Sequence, residues 1–104
     1  MIAVSIDGAP VAPEHATISV FDRGLLYGDG LFEVLRTLRG QPVWLAEHLA
    51  RLAEAARELA LPLPGPLAGW IRATIARAGD VDHRVRVIVT RGPGALTARP
   101  ATLT

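Results

Sequence analysis

The hydrophobic pattern divides the chain into short extended segments and two helical ones. Apolar residues alternate with small or polar ones from Ile2 to Ile6, which is typical of a half-buried strand. The Asp7-Gly8 pair that follows predicts a two-residue hairpin turn into a short strand near Val11. Two flanking prolines are expected to keep that return strand short or at a sheet edge.

Further extended segments follow along the chain. Ile18–Phe21 is an apolar piece that leads into a glycine-rich loop, and Leu31–Leu38 is predicted to be a longer strand with β-branched and aromatic members. Gly40 then turns the chain towards Val43. Near the end, Arg84–Thr90 alternates valines with other residues, so we expect a strand with one face on a core.

Two segments show the helical spacing of apolar residues. Leu45–Leu61 is predicted to be an amphipathic helix whose apolar stripe comprises Leu45, Leu49, Leu52, Ala56 and Leu59. A proline-rich linker follows, and a second helix is expected to begin at Pro66 and to stop at Gly79. Its apolar stripe comprises Leu67, Trp70, Ile71, Thr74, Ile75 and Ala78. These elements predict an α+β fold, a two-layer α/β sandwich in which an antiparallel-dominated sheet carries two helices on one face.

Composition indicates a single globular domain. The chain has 104 residues, 50% of them hydrophobic and 20% charged, which is enough for a modest core. Its formal net charge of +1 does not indicate a basic surface for binding nucleic acid or an anionic membrane. Cysteine is absent, which excludes disulfides and thiolate metal sites. No N-terminal apolar run has the length of a signal or a membrane span, so a cytoplasmic location is expected.

The glycine-rich loop before the predicted central strand is the main candidate for function. Gly24, Gly28 and Gly30 lie close together, which permits positive φ angles or the close approach of a ligand. The same spacing also suits a tight structural turn into a strand. The glycines alone therefore leave both interpretations open.

Side chains in and after this loop also have two interpretations each. Tyr27 and Phe32 are either core aromatics or the wall of a pocket. Glu33 and Arg36 are three positions apart, so in a strand they point to opposite faces and cannot form a simple pair. Arg36 shares its face with Phe32, where it is a candidate for contact with an anionic ligand.

The first predicted helix carries two further candidates. Arg51 lies on its polar face, where an exposed ion pair with Glu47 or Glu54 would be ordinary. His48 lies at the border between the polar and apolar faces. The other two histidines are on unrelated segments, so no metal site is predicted.

A series of short motifs carries a resemblance to a known family. In order, they are Asp22-Arg23-Gly24, Tyr27-Gly28-Asp29-Gly30, Phe32-Glu33 with Arg36, and Glu47-His48 with Arg51-Leu52. Their order and spacing resemble the small N-terminal domain of the class IV (fold-type IV) pyridoxal-phosphate enzymes, over about Ile2 to Gly92. That family includes branched-chain aminotransferases, D-amino-acid transaminases, R-selective amine transaminases and aminodeoxychorismate lyase.

The resemblance implies a role for the candidate residues. The arginine that matches Arg51 binds the phosphate of pyridoxal 5′-phosphate, a task that suits a planar guanidinium. The positions that match Tyr27 and Phe32 line the substrate pocket, and Arg36 is expected to reach a substrate carboxylate. His48 and Glu33 are expected behind these residues, with His48 orienting Arg51 or the loop by a hydrogen bond.

The basic residues limit what the chain can do alone. All 11 are arginine, whereas a pyridoxal-phosphate enzyme needs a lysine for its Schiff base. In the family this lysine lies in a larger C-terminal domain, so the chain is expected to be part of an enzyme and inactive by itself. The resemblance implies a homodimer and a small amino-acid or amino-chorismate substrate. The alternative is a non-catalytic α/β association module whose glycine loop is only structural.

Other motif residues are expected to have structural roles. Asp22, Arg23 and Asp29 are expected to shape the loop, because aspartates bond nearby backbone amides and cap turns. Arg91, in a Thr-Arg-Gly phrase, is expected to be structural or at the rim of the site.

Two positions bear on the subfamily. Val34 follows the Phe-Glu pair where branched-chain aminotransferases usually have glycine, whereas the Gly-Asp-Gly of the loop resembles the lyase and D-amino-acid branches. Some family members bind the substrate carboxylate with an arginine and a histidine that follow the Thr-Arg-Gly phrase. This pair has no clear counterpart here, since the region contains Leu96 and Thr97, with Arg99 as the only nearby base. The choice between transaminase and lyase stays open.

Overall fold

The computed structural model describes residues 2–94, so the expectations on Leu96, Thr97 and Arg99 lie outside the described residues. The elements follow in the order β1 (Val4–Ile6), β2 (Ala9–Val11), a 3-10 turn (Pro13–His15), α1 (Arg23–Tyr27), β3 (Gly30–Leu38), β4 (Gln41–Pro42), α2 (Leu45–Glu58), α3 (Leu67–Ala78) and β5 (Arg84–Thr90). This is the predicted α+β class. No helix within residues 2–94 has the length and apolarity that crossing a membrane would require.

The strands form two antiparallel sheets, whereas the sequence predicted one. β1 and β2 make the predicted hairpin, and both turn residues, Asp7 and Gly8, have positive φ. This hairpin stays separate because it attaches to α3: the Ser5 and Thr74 hydroxyls are 2.6 Å apart, and Arg77 donates to the Val4 carbonyl oxygen at 2.6 Å. The second sheet has the order β4-β3-β5, with β3 in the centre.

Both long helices cover one face of this three-stranded sheet, as predicted. The core joins Leu35 of β3 and Val87 and Val89 of β5 to buried residues of α2 and α3. The helix residues in it are Leu45, Leu52, Ala56, Ile71 and Ile75. The alternate residues of β3 and β5 point to the opposite face, which no helix of comparable length covers in the described part of the chain.

The end of α2 corrects the sequence prediction. The helix ends at Glu58, not Leu61, because the chain reverses there: Ala60 takes a left-handed φ of 50°, and the Leu61 N–H bonds back to the Ala56 carbonyl. This bond pattern is a Schellman motif. Leu61 is consequently buried, while Leu59, predicted on the apolar stripe, is 46% exposed.

The segment before β3 also differs from expectation. Ile18–Phe21 forms no strand, and Ile18, Val20 and Phe21 are all exposed. A five-residue helix, α1, follows where the sequence indicated only a loop. Asp22 caps it by accepting a 2.8 Å hydrogen bond from the Gly24 N–H, and Gly28 ends it with a φ of 65°.

Candidate functional site

The most strongly connected of the predicted site residues is Glu33. β3 places it on the helix-covered face, where it is only 7% exposed. α2 faces it with His48 and Arg51, one turn apart. His48 Nδ1 lies 2.8 Å from Glu33 Oε1, and Arg51 donates to both carboxylate oxygens, from Nε to Oε2 at 3.3 Å and from Nη2 to Oε1. Glu33 therefore joins the central strand to the middle of α2.

Charge on Glu33 is stabilised by these partners. The hydrogen bond from Arg51 holds the pKa of the Glu33 carboxyl below its usual value, with His48 acting in the same direction and burial in the opposite one. The ionised carboxylate only accepts hydrogen bonds, so the proton between it and His48 belongs to Nδ1 of the imidazole. A buried charge with this many donors meets the condition under which such groups are tolerated.

Arg51 differs from the ordinary surface arginine that helical spacing alone would suggest. Its ion pair is with Glu33 on β3, and not with Glu47 or Glu54 on its own helix. Its side chain is nevertheless 70% exposed. The Nε–Nη2 edge of the guanidinium is fixed by the carboxylate. One N–H of Nη1 and the second N–H of Nη2 form a further parallel fork. Such a fork can bind two oxygens of a phosphate or carboxylate.

The predicted pocket residues lie apart from this cluster. Phe32 and Arg36 project from the opposite face of β3 and are exposed, so the opposed orientation of Glu33 and Arg36 is confirmed. Tyr27 lies on α1 and is 53% exposed; Phe32 is 66% exposed. The interpretation of these two aromatics as core residues is therefore wrong. The structure separates the predicted site into a Glu33 cluster and an open-face group.

Two of the three loop glycines, Gly24 and Gly30, are explained by contacts within the protein. A methyl group on Gly24 would collide with the Thr90 side chain, and one on Gly30 would lie 2.6 Å from the Val89 carbonyl oxygen. These two positions let α1 and the start of β3 approach β5 closely. Close packing therefore requires glycine at both positions, which favours the structural interpretation of these two loop glycines.

Arg91 holds this loop to the rest of the fold. It donates to Asp29 Oδ1 at 3.0 Å, to the Ala60 carbonyl at 3.1 Å and to the Leu59 carbonyl. The loop is thereby tied to the C-terminus of α2. Sequence analysis predicted only a structural or rim position for Arg91, because two of its three acceptors are backbone carbonyls, which every residue type carries.

A cavity of about 860 Å³ lies between the first hairpin, α3 and the outer edge of β5. None of the six predicted site residues lines it. Residues 2–94 contain no group of three or more side chains that could bind a metal ion. His83 is engaged structurally, with Nε2 donating to the Ala78 carbonyl at 3.1 Å.

Comparison with known proteins places the chain in a family. The model of the amino-transferase class IV family matches residues 30–104. The chain belongs to the class IV aminotransferase family. A D-alanine aminotransferase of Staphylococcus epidermidis is 38% identical over 95 residues, which cover 88% of this chain and 34% of that protein.

Solved structures of similar fold agree with this assignment. A 4-amino-4-deoxychorismate lyase from Pseudomonas aeruginosa superposes with a TM-score of 0.76 and 45% identity, over 92% of this chain and 34% of its own. The pyridoxal-phosphate-bound form of a hypothetical aminotransferase from Mycobacterium tuberculosis gives a TM-score of 0.78 and 26% identity, over 93% of this chain and 36% of its own. The chain therefore spans about a third of the length of these relatives, and within that third it has the fold of fold-type IV enzymes.

Proposed function

We propose that this chain is the small domain of a pyridoxal-phosphate-dependent class IV aminotransferase or 4-amino-4-deoxychorismate lyase, supplying the arginine that binds the cofactor phosphate and one wall of the substrate pocket. The observation that carries the proposal is the Glu33–Arg51 pair, in which a buried carboxylate orients an exposed guanidinium. Family membership supports it, as does the pyridoxal-phosphate-bound structure among the neighbours.

The residues present fit a phosphate group. Arg51 keeps a fork of N–H donors beyond those bound to Glu33, and phosphate oxygens are strong acceptors for such a fork. Glu33 fixes the direction of the fork, since two contacts to one guanidinium edge restrict the rotation of the side chain. His48 restrains Glu33 in turn. Arg51 would thus hold the phosphate, while Glu33 and His48 would orient Arg51.

The open face is the part of the chain assigned to the substrate. Phe32 and Arg36 project from it and Tyr27 is exposed on α1. In this proposal the aromatic rings contact the apolar part of an amino-acid or amino-chorismate substrate, and Arg36 binds a carboxylate. When bound, pyridoxal phosphate supplies an electron sink for the charge that develops at the substrate α-carbon.

The chain has no lysine, so in this proposal the lysine amine that forms the Schiff base comes from outside the 104 residues. We expect it on a C-terminal domain of a longer polypeptide, and no transamination or lyase activity from the 104 residues alone. We also propose that the enzyme is a homodimer, because a partner would cover exposed apolar side chains that the fold leaves in water. These are Ile18, Val20, Phe21, Leu25 and Leu26.

The first test uses the polypeptide encoded by the whole gene. Pyridoxal phosphate is titrated into the apoprotein and its uptake is followed by absorbance. We expect Arg51→Ala to weaken cofactor affinity by about 10- to 100-fold, because charge-assisted hydrogen bonds to the phosphate are lost. Arg57→Ala is the matched control, since Arg57 is an exposed arginine on the same helix, and it should leave the affinity unchanged.

Two results would contradict the proposal. The first is a full-length Arg51→Ala enzyme that holds the cofactor as tightly as the parent, which would reduce Arg51 to a surface charge. The second is a gene that ends directly after codon 104, which would favour the association module. In that case self-association without cofactor uptake is the expected behaviour.

A further inference from the structure

Arg91, in the Thr-Arg-Gly phrase, makes contacts to which the proposed function gives no role. All three nitrogens of its guanidinium donate: Nε to Asp29 Oδ1 at 3.0 Å, Nη1 to the Ala60 carbonyl at 3.1 Å and Nη2 to the Leu59 carbonyl. The Arg91 side chain is 17% exposed and that of Asp29 is 18% exposed. The acceptors belong to two separate parts of the fold, since Asp29 directly precedes β3 and the two carbonyls directly follow α2. Arg91 therefore connects the start of β3 with the end of α2.

A guanidinium is chemically suited to the end of a helix. The last carbonyl groups of a helix lack partners within it, and the helix dipole places partial negative charge there. Arg91 supplies both donors and positive charge at this point, and the Asp29 carboxylate balances the charge. Hydrogen bonds of this kind have a direction. The Leu61 side chain also holds this end of the helix in the core, but apolar burial is non-directional.

A second connection joins the same strand to the same helix. Glu33 of β3 binds His48 and Arg51 in the middle of α2. Asp29 and Glu33 are four residues apart, which is about 13 Å along an extended chain. Arg51 and Leu59 are eight residues apart, which is about 12 Å along a helix. Because the two spacings match, α2 is held to β3 at two points, whereas a helix held at one point can pivot.

We propose that Arg91 is a positioning residue for Arg51. By holding the end of α2 against the start of β3, it fixes the direction of the helix, keeps Arg51 on Glu33 and keeps the free N–H fork of Arg51 aimed at the cofactor phosphate. Arg91 itself contacts neither phosphate nor substrate in this role. The link to the phosphate rests on the proposed function; the attachment of α2 at two points does not.

The first test changes one end of the connection and measures the other. Asp29→Ala removes the carboxylate before β3 and alters no residue of α2. In the 104-residue chain, we expect amide hydrogen exchange at Leu59 and Leu61 to rise at least about threefold in Asp29→Ala and about tenfold in Arg91→Gln. These amides bond to carbonyls of the last turn of α2, so they report its opening.

The second test measures cofactor affinity in the polypeptide encoded by the whole gene. We expect Arg91→Gln to weaken the binding of pyridoxal phosphate by about three- to tenfold, because Arg51 loses its fixed direction. In an Arg51→Ala background, Arg91→Gln should cause no further loss, since Arg91 acts only through Arg51. A general loss of structure would instead weaken binding equally in both backgrounds.

Arg77→Gln is the matched control. Arg77 also donates to a distant backbone carbonyl, that of Val4 at 2.6 Å, and connects the first hairpin to α3. The change removes the same charge and a contact of the same kind. It should alter neither the exchange at Leu59 and Leu61 nor the affinity for pyridoxal phosphate.

Two results would overturn the proposal. One is an Arg91→Gln protein that binds pyridoxal phosphate as tightly as the parent or loses affinity equally with and without Arg51. The other is unchanged exchange at the end of α2 in Asp29→Ala, which would reduce Arg91 to a helix cap. If Arg91→Gln does not fold, Asp29→Ala takes its place in the affinity cycle. An unchanged affinity in Arg51→Ala contradicts the proposed function, whereas an unchanged affinity in Arg91→Gln alone contradicts only this inference.

Discussion

The two faces of the three-stranded sheet are made by the same two strands and have opposite properties. On the helix-covered face, Leu35, Val87 and Val89 are buried in the core. On the open face, Phe32 and Ile88 are more than half exposed. Because side chains alternate along a strand, every second residue packs into the core. Most of the others are left for contact with something outside the fold, although Thr90 is buried beside Gly24.

Polar groups differ between the faces in the same way. The buried Thr37 accepts a 2.8 Å hydrogen bond from the His83 N–H, and the buried Glu33 is bound by His48 and Arg51. These partners offset the cost of burying polar atoms. On the open face, by contrast, Arg36 and Arg84 face each other. One face satisfies its polar groups internally, and the other leaves its charged groups to water or to a ligand from outside the fold.

The largest expected difference between the faces is in stability, and two leucines of β3 test it. Leu35 is 3% exposed on the covered face, and Leu38 is 49% exposed on the other. We expect Leu35→Ala to lower the free energy of unfolding by about 2 to 5 kcal/mol, through lost burial and a residual cavity. Leu38→Ala makes the same chemical change and should cost less than about 1 kcal/mol. Urea denaturation of both variants measures the difference.

Equal costs for the two leucine variants would mean that the open face is covered in solution, and this can be checked by repeating the denaturation at several protein concentrations. If the cost of Leu38→Ala rises with protein concentration, a second copy covers that face. The comparison between the faces would then apply only to the isolated chain.

Replacing Glu33 should have an intermediate effect that depends on pH. We expect Glu33→Gln to cost about 1 kcal/mol at neutral pH, since Gln keeps an acceptor for His48 and Arg51 remains in contact with water. The pKa of Glu33 is lowered in the folded state, chiefly by the hydrogen bond from Arg51. Its charge therefore stabilises the fold above the unfolded pKa, and this contribution is lost as the pH falls through the lower folded value.

The measurement is the free energy of unfolding of parent and Glu33→Gln across acid pH. The difference between them should be constant above about pH 5 and should shrink as the pH falls below the ordinary carboxyl pKa towards the lower pKa of folded Glu33. Arg51→Gln is a useful companion, since it should reproduce part of the same pH dependence. A difference that stays constant down to pH 3 would contradict an ionic role for Glu33.

Local patterns in the sequence predicted much of the covered face. The alternation in β3 and β5, the stripes of both helices apart from Leu59, and the turn at Asp7-Gly8 each follow from short-range periodicity or turn chemistry, and the structure confirms them. The separation of Glu33 from Arg36 follows from the same alternation. These features could be predicted because each depends on residues that are close in sequence.

Features that depend on distant partners could not be predicted in this way. The sequence pattern suggested helical partners for Arg51, whereas its carboxylate comes from β3, 18 residues earlier. α1 was missed because five residues are too few to show a helical period. Its cap, Asp22, is also held by a distant partner, since it accepts a 3.1 Å hydrogen bond from the Thr90 hydroxyl. The end of α2 was misplaced because Ala60 adopts the left-handed conformation that usually indicates glycine.

The smallest expected effect concerns the opposed arginines of the open face. In a double-mutant cycle of Arg36→Gln and Arg84→Gln, either single change removes the whole repulsion between the two charges, so the second change gains nothing more. The stabilisation in the double variant should fall short of the sum of the singles by about 0.2 to 1 kcal/mol at low salt.

Salt and a second cycle identify the origin of this coupling. It should disappear near 1 M salt, where the Debye length is about 3 Å and charges on neighbouring strands no longer interact. The cycle of Arg36→Gln with Arg72→Gln should be additive at every salt concentration, because Arg72 lies on α3 across the sheet from this face. Additivity of Arg36 and Arg84 at low salt would show that their side chains diverge into water. The pairing of the two strands would then cost the open face no measurable electrostatic repulsion.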